Sequence, residues 1–219
     1  SYPLKKLLSY VLPVSLILGM ALLGYRRLFI FTETRGVFFV AGETAVIGIY
    51  LLWLVYEIRV SRRDVHEKVE TADYGTREFY AVSQALTVLS ALYNPSLWRA
   101  PGLYHLCGVL LLLAGLLLRI GAVETLGKYY SHVVRKREDH KIISSGPYSL
   151  LRHPAYAGML LIHLGLTLFF FNVLTAGIFS LLLIPSLVLR ILIEEKTLLT
   201  IPGYRDYALK RKRIIPFIW

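Results

Sequence analysis

Two short segments of this 219-residue sequence carry side chains suited to chemistry at the edge of a membrane. The first, GPYSLLRHPAYAG, runs from Gly146 to Gly158 and sets an arginine and a histidine between two prolines. The second, RILIEEKTLL, places Arg190 and Glu194 four residues apart, so that they share one face of a helix. A guanidinium orients a carboxylate through its planar fork of donors, and a carboxylate accepts hydrogen bonds from hydroxyl or ammonium groups. The two segments therefore suggest a binding site for polar ligands.

Both segments also have an ordinary structural interpretation. Arg152 and His153 are suited to anchor a helix at the membrane interface, and Pro154 is suited to begin that helix. An ion pair between Arg190 and Glu194 at a helix end would contribute only a few tenths of a kcal/mol. The basic run from Lys210 to Arg213 is equally suited to anionic lipid and to plain solvation. Residue types alone leave these alternatives open.

The composition indicates a membrane protein. Hydrophobic residues make up 56% of the chain, charged residues only 18%, and the mean hydropathy is +0.57. Because a helix needs about 20 apolar residues to cross a bilayer, we predict an all-α integral membrane fold with about six spans. The predicted spans are Leu7–Gly24, Val37–Tyr56, Phe79–Leu97, Leu103–Leu118, Ala155–Phe171 and Val173–Leu189.

The distribution of basic residues predicts the topology. The net charge is +11, but the arginines and lysines lie between apolar runs, which argues against nucleic-acid binding. With six spans, one side of the membrane holds 21 of the 25 basic residues, and the other holds Arg26, Arg27, Arg35 and Arg99. The positive-inside rule then places both termini in the cytoplasm. The polar segments Arg119–Pro154 and Arg190–Trp219 face that compartment, so we expect the active site there.

The end of the apolar region predicts a helical hairpin. The last two spans are separated only around Asn172, so we expect a tight turn between two short arms. Pro185 is expected to kink the second arm. The polar residues of the third span, such as Ser83 and Gln84, favour contact with other helices rather than with lipid.

Several common catalytic patterns are absent from the sequence. It contains no glycine-rich dinucleotide fingerprint, no P-loop, no HExxH and no GxSxG. The six histidines lack the i, i+4 spacing of paired metal ligands, so no metal site is predicted.

Three stretches resemble a known family in order and spacing. They are LRIGAVETLGKYYSHVV, HKIISSGPYSLLRHPAYAG and EEKTLLTIPGYRDYALKRKRIIPFI, from about Leu118 to Ile218. Together they resemble the C-terminal catalytic half of the isoprenylcysteine carboxyl methyltransferase family and its prokaryotic relatives. The resemblance divides the chain into a less specific four-span region, residues 1–118, and a catalytic cofactor-binding region with the hairpin and the cytoplasmic tail, residues 119–219.

The resemblance implies a function and a set of site residues. Members of the family are membrane methyltransferases that use S-adenosylmethionine without a Rossmann domain and release S-adenosylhomocysteine. The resemblance also implies O-methylation of a carboxylate on a lipophilic, isoprenylcysteine-like acceptor. This acceptor is expected to enter from the bilayer, and membrane lipids are expected to surround the protein. The resemblance implies that Arg190 is catalytic and faces the acceptor. The implied cofactor-binding residues are His140, Lys141, Ile142, Ile143, Gly146, Tyr148, His153, Pro154, Ala155, Tyr156 and Glu194.

Other functions remain open at this level. A phospholipid head group or another hydrophobic small molecule is an alternative acceptor. Membrane sterol reductases, which use NADPH, share an RHPxYxG-like stretch, although the Arg190 and Glu194–Glu195 pattern favours a methyltransferase. A non-enzymatic membrane scaffold or transporter is the remaining alternative.

Overall fold

The chain is helical throughout the parts that can be described. The computed structural model describes residues 2–30, 36–64, 75–129 and 142–219. Apart from turns and one isolated bridge between Leu151 and Lys212, these ranges contain only helices. The helices are α1 Tyr2–Tyr25, α2 Val37–Asp64, α3 Thr76–Tyr93, α4 Leu103–Leu126, α5 Pro154–Phe169, α6 Val173–Ile178, α7 Ile184–Leu198 and α8 Tyr204–Leu209.

Among the described residues, four helical segments are long and apolar enough to cross a membrane. They are Val11–Phe29, Val37–Ser61, Leu103–Leu126 and Val173–Leu198. Between them lie α3, which is more polar, and α5, whose 16 residues span about 24 Å at 1.5 Å per residue. The all-helical fold is therefore confirmed, whereas the count of six spans stays a prediction.

The predicted hairpin is present, but its second arm is longer than expected. Asn172 begins that arm, and its side-chain Oδ1 accepts a 2.9 Å hydrogen bond from the backbone N–H of Thr175. The arm runs from Val173 to Leu198, whereas the sequence interpretation ended it at Leu189. A π-helical turn, Phe179–Leu183, precedes Pro185 and carries the helix past it. A wider turn suits this place because proline has no N–H to donate to the helix.

Helices α4 and α5 pack backbone against backbone. A Cβ placed on Gly115 would lie 2.7 Å from the carbonyl oxygen of Gly158 and 2.6 Å from the nitrogen of Ile162. A Cβ on Gly158 would lie 2.7 Å from the nitrogen of Arg119. Only glycine fits at such distances, which is how small residues bring membrane helices together. This close approach fixes the start of α5 beside the end of α4.

The polar residues of α3 contact other helices, as predicted. Gln84 Nε2 donates to Tyr50 Oη on α2 at 2.9 Å, and Tyr50 Oη lies 2.8 Å from His163 Nε2 on α5. Ser90 Oγ lies 2.8 Å from Thr175 Oγ1 on α6. These bonds connect four helices through side chains that lipid could not satisfy.

Candidate active site

A cavity of about 250 Å³ lies between the helices and receives residues from both halves of the chain. One part of its wall comes from α5, α7, α8 and the segment before α5. The other part comes from the N-terminal helices α2 and α3 and from α4. The cavity therefore includes residues from both of the regions into which the sequence was divided.

The segment from Gly146 to His153 is held in place by the C-terminal tail. It begins with a short 3-10 helix, Gly146–Ser149, and then pairs with the tail. The backbone N–H of Arg152 donates to Lys212 O at 2.8 Å, and that of His153 donates to Arg213 O at 2.9 Å. The basic run of the tail is thus part of the fold around the site, a role that neither sequence interpretation gave it.

Glu195 is the centre of a buried charge cluster behind the cavity wall. Its Oε1 accepts from Arg152 Nη1 at 2.8 Å and lies 3.2 Å from His153 Nε2. Its Oε2 accepts from Arg213 Nε at 2.8 Å. Arg152 also donates through Nε to Arg211 O at 2.7 Å. Arg152 therefore joins α7 to the tail, which answers the open question of whether it is only an interfacial anchor.

Arg190 and Glu194 both line the cavity, as their shared helix face predicted. Arg190 is buried, and its guanidinium carbon lies 5.9 Å from the centre of the Tyr156 ring. Glu195 faces the cluster behind the wall instead, because one residue along a helix rotates the side chain by about 100°. Helix α7 thus presents one cation and one anion to the same cavity.

The structure brings most of the predicted site residues together. Eight of them line the cavity: Ile142, Ile143, Tyr148, His153, Ala155, Tyr156, Arg190 and Glu194. Pro154 is the first residue of α5, next to that wall. His140 and Lys141 lie outside the described residues. Roles for all these residues remain predictions.

Gly146 does not line the cavity. Its φ is +55°, a conformation that favours glycine, as the sequence interpretation allowed. A Cβ there would lie 3.0 Å from Thr125 Oγ1 on α4. Both the positive φ and the contact with α4 account for glycine at this position, and its contact with the cofactor remains a prediction.

The sequence interpretation missed the N-terminal wall of the cavity. Glu57 on α2 and Arg119 on α4 form a double hydrogen bond, Nε to Oε1 and Nη2 to Oε2, each 2.9 Å long. The predicted spans ended at Tyr56 and Leu118, one residue before each charge, whereas the helices continue to Asp64 and Leu126. The missed lining residues of α2 and α3 are Trp53, Glu57, Ile58, Ser61, Arg77, Tyr80, Ala81 and Gln84.

A signal for part of this wall was present in the sequence. Glu57 and Arg119 are charges of opposite sign at the ends of two apolar runs. Ionisable residues inside a membrane segment usually pair and mark functional cavities. Extending both helices by one turn would have revealed the pair.

Helix α8 adds two tyrosines to the cavity wall. The hydroxyl of Tyr207 donates to Tyr148 O at 2.8 Å and to Leu151 O at 3.2 Å. Burial raises the pKa of Tyr207 to about 12, so its hydroxyl stays a donor at neutral pH. The hydroxyls of Tyr80 and Tyr204 are also buried in this wall but have no hydrogen-bond partner among the described residues.

The part of the chain that the structure describes contains no cluster of three or more His, Cys, Asp or Glu side chains that could hold a metal ion. The polar residues that line the cavity are mostly arginines, glutamates and tyrosines, together with Ser61, Gln84, His153 and Thr197. Such a set suits an organic ligand that carries both charges and hydroxyl groups.

Comparison with known proteins identifies a family that the chain resembles. The model of the isoprenylcysteine carboxyl methyltransferase family matches residues 108–200. The resemblance seen in the sequence is confirmed. The matched region contains the segment before α5, the whole hairpin and both Arg190 and Glu194.

Similar proteins carry the same description. A protein named "Probable protein-S-isoprenylcysteine O-methyltransferase" from Oryza sativa subsp. indica is 36% identical over 51% of this chain and 60% of its own length. Protein-S-isoprenylcysteine O-methyltransferase B of Arabidopsis thaliana is 28% identical over 69% of this chain and 80% of its own length. Protein-S-isoprenylcysteine O-methyltransferase of Schizosaccharomyces pombe is 31% identical over 66% of this chain and 61% of its own length. The chain thus spans about 60% of the rice relative that it matches.

One solved structure shares the fold over the entire chain. It is the structure of the eukaryotic intramembrane Ras methyltransferase ICMT, with a TM-score of 0.56 and 19% identity, covering 100% of this chain and 87% of that one. At this identity the similarity concerns the fold. Together with the four apolar helices, it supports a multi-pass integral membrane protein.

Proposed function

We propose that this protein is a membrane methyltransferase that transfers a methyl group from S-adenosylmethionine to a carboxylate on a lipophilic, isoprenylcysteine-like acceptor. The observation that carries the proposal is the position of Arg190 and Glu194 in one cavity wall, with Arg190 near Tyr156 of the HPAY segment, residues 153–156. The family match over residues 108–200 supports the same reaction class. The relatives named above act, by their names, on S-isoprenylcysteine.

The cavity residues fit the methyl donor. Glu194 supplies an acceptor for its ammonium or ribose hydroxyls, and Tyr148, Tyr156 and Ala155 supply apolar and aromatic walls for its adenosine. The buried hydroxyl of Tyr204, in the same cavity wall as Glu194, has no hydrogen-bond partner among the described residues. This is expected where a polar ligand completes the site. When bound, S-adenosylmethionine supplies a methyl group activated by a positively charged sulfur, and S-adenosylhomocysteine is the product.

Arg190 is placed to orient the acceptor. A carboxylate with a pKa of about 3.5 is already ionised at neutral pH, so this reaction needs no strong general base. The guanidinium would hold the acceptor carboxylate through its fork of donors and fix its direction of attack. Burial of Arg190 excludes water and limits its rotamers. Positioning of the two substrates therefore provides most of the rate enhancement.

The N-terminal helices provide the acceptor side of the cavity. Residues of α2 and α3 line it together with Arg119 of α4, and α2 and α4 contain apolar segments that are long enough to cross a membrane. We propose that the lipid part of the acceptor enters between helices from the bilayer, while the polar donor arrives from the cytoplasm. Both termini and the active site are cytoplasmic in this proposal, in agreement with the distribution of basic residues.

A methyl-transfer assay tests the proposal directly. Purified protein in detergent is incubated with methyl-labelled S-adenosylmethionine and, separately, N-acetyl-S-farnesylcysteine, phosphatidylethanolamine and palmitic acid. We expect base-labile methyl ester to form on the farnesylcysteine. Methyl transfer to phosphatidylethanolamine alone would contradict a carboxylate acceptor and would indicate that the acceptor is the amine of a lipid head group.

A binding measurement separates the methyltransferase from the reductase. Isothermal titration is carried out with S-adenosylhomocysteine and with NADPH. We expect binding of S-adenosylhomocysteine only. Binding of NADPH without S-adenosylhomocysteine would contradict the proposed function.

A further inference from the structure

Tyr204 occupies a fixed position in the cavity wall that also contains Glu194. It is the first residue of α8 and follows Gly203, whose φ of +80° turns the chain into that helix. Its side chain is only 5% exposed and belongs to a cluster with Ile201 and Tyr207, against which Ile142 and Leu198 pack. The ring is therefore held by its neighbours rather than by its hydroxyl.

The hydroxyl of Tyr204 differs from that of its neighbour Tyr207. Both side chains are buried, and their ring centres lie 5.6 Å apart. Tyr207 donates to two backbone carbonyls, whereas the Tyr204 hydroxyl has no hydrogen-bond partner in the described part of the chain. Buried hydroxyls are normally hydrogen-bonded, because leaving one unsatisfied disfavours the folded state. Such a group in a cavity wall is explained when a bound molecule supplies the partner.

The charges around Tyr204 define which part of a ligand it can meet. Burial, followed by the nearby carboxylates of Glu194 and Glu195, raises the pKa of Tyr204, while Arg152 lowers it. The hydroxyl therefore stays neutral and acts as a hydrogen-bond donor. Glu195 is already paired with Arg152 and Arg213, so Glu194 is the carboxylate that meets the ligand, and its charge disfavours the carboxylate of an amino acid at this place. A neutral group that accepts from Tyr204 and donates to Glu194 is favoured, and a ribose hydroxyl does both.

We propose that Tyr204 is a donor-binding residue that hydrogen-bonds to the nucleoside part of S-adenosylmethionine, next to Glu194. This inference rests on the proposed function and adds to it a contact from α8, a helix that lies beyond the matched residues 108–200. It assigns the nucleoside, and not the amino-acid part, to the end of the cavity formed by α8.

Binding and stability of Tyr204→Phe test the inference. Binding of S-adenosylhomocysteine and of 5′-methylthioadenosine, which keeps the nucleoside but lacks the amino acid, is measured by competition against labelled S-adenosylhomocysteine. We expect both ligands to bind roughly five- to tenfold more weakly, as the loss of one hydrogen bond predicts. The melting temperature of the ligand-free variant should stay equal or rise, because an unsatisfied buried hydroxyl has been removed.

Tyr207→Phe is the matched control. It removes a hydroxyl that two backbone carbonyls use, so we expect its melting temperature to fall. Unchanged binding of both ligands to Tyr204→Phe, or a loss confined to S-adenosylhomocysteine, would overturn the inference and leave the methyltransferase proposal intact. Failure of the unmodified protein to bind S-adenosylhomocysteine would overturn both. A lower melting temperature of Tyr204→Phe with unchanged binding would show a packing role only.

Discussion

Glu194 and Glu195 are neighbours in the chain but face opposite environments. Glu194 lines the cavity, whereas Glu195 is buried behind the wall, where Arg152, His153 and Arg213 surround it. We therefore expect the two acids to have separable roles, Glu194 in ligand binding and Glu195 in the stability of the fold. Matched substitutions of the two residues should affect binding and stability differently.

Glu195→Gln should strongly reduce stability. It leaves Arg152 and Arg213 beside a neutral amide in a largely buried cluster, and breaking a buried ion pair costs about 3–5 kcal/mol. Thermal unfolding in detergent should show a large decrease in melting temperature. Arg213→Gln, whose side chain is 28% exposed, is the control and should have a smaller effect. A Glu195→Gln protein as stable as the unmodified one would contradict this role.

Glu194→Gln should leave the melting temperature nearly unchanged and weaken binding of S-adenosylhomocysteine. Because a charged acceptor is lost, we expect roughly a 10- to 100-fold increase in the dissociation constant. Isothermal titration measures this change. Equal binding of S-adenosylhomocysteine by the unmodified protein and by Glu194→Gln would contradict a role for Glu194 in donor binding.

Arg190→Lys should reduce methyl transfer through the acceptor. Lysine keeps the charge but cannot present two parallel donors to a carboxylate. We expect kcat/KM for the acceptor to fall by roughly 10- to 100-fold, while the dissociation constant of S-adenosylhomocysteine changes little. A similar loss in both measurements would place Arg190 at the donor instead.

Gly115→Ala should destabilise the protein by disturbing the contact between α4 and α5. The added methyl group would meet backbone atoms at 2.6 and 2.7 Å, and overpacking of this kind costs about 1–3 kcal/mol. Gly48→Ala is the control, because, apart from the backbone of α2 itself, no atom of the described residues lies within 4 Å of a Cβ at that position. Thermal unfolding of both variants should show a decrease for Gly115→Ala alone. Equal effects would exclude a packing role for Gly115.

Replacement of both members of the Glu57–Arg119 pair should be tolerated better than replacement of one. Arg119→Met alone leaves a buried carboxylate and should cost about 3–5 kcal/mol, whereas a double change to Met restores neutrality. Unfolding of the two single variants and the double variant gives the coupling energy. Additive effects would show that the two charges act independently.

The sequence predicted the features that depend on local patterns. Asn172 separates two apolar runs, so the hairpin was visible, and the four-residue spacing of Arg190 and Glu194 correctly placed both on one wall. The ends of α2 and α4 were wrong because hydropathy counts Glu57 and Arg119 as separate charges, whereas the folded chain neutralises them against each other. Arg152 could not be assigned because its partner Glu195 lies 43 residues away.

The pairing of residues 152 and 153 with residues 212 and 213 has a consequence for biosynthesis. A chain emerges from the ribosome from its N-terminus, and its segments fold in that order. The HPAY segment reaches the membrane about 60 residues before its backbone partners exist. The wall it forms is therefore completed only after Arg213 has left the exit tunnel. Ribosome-stalled chains that end before that residue should insert their apolar helices and still lack this part of the cavity wall.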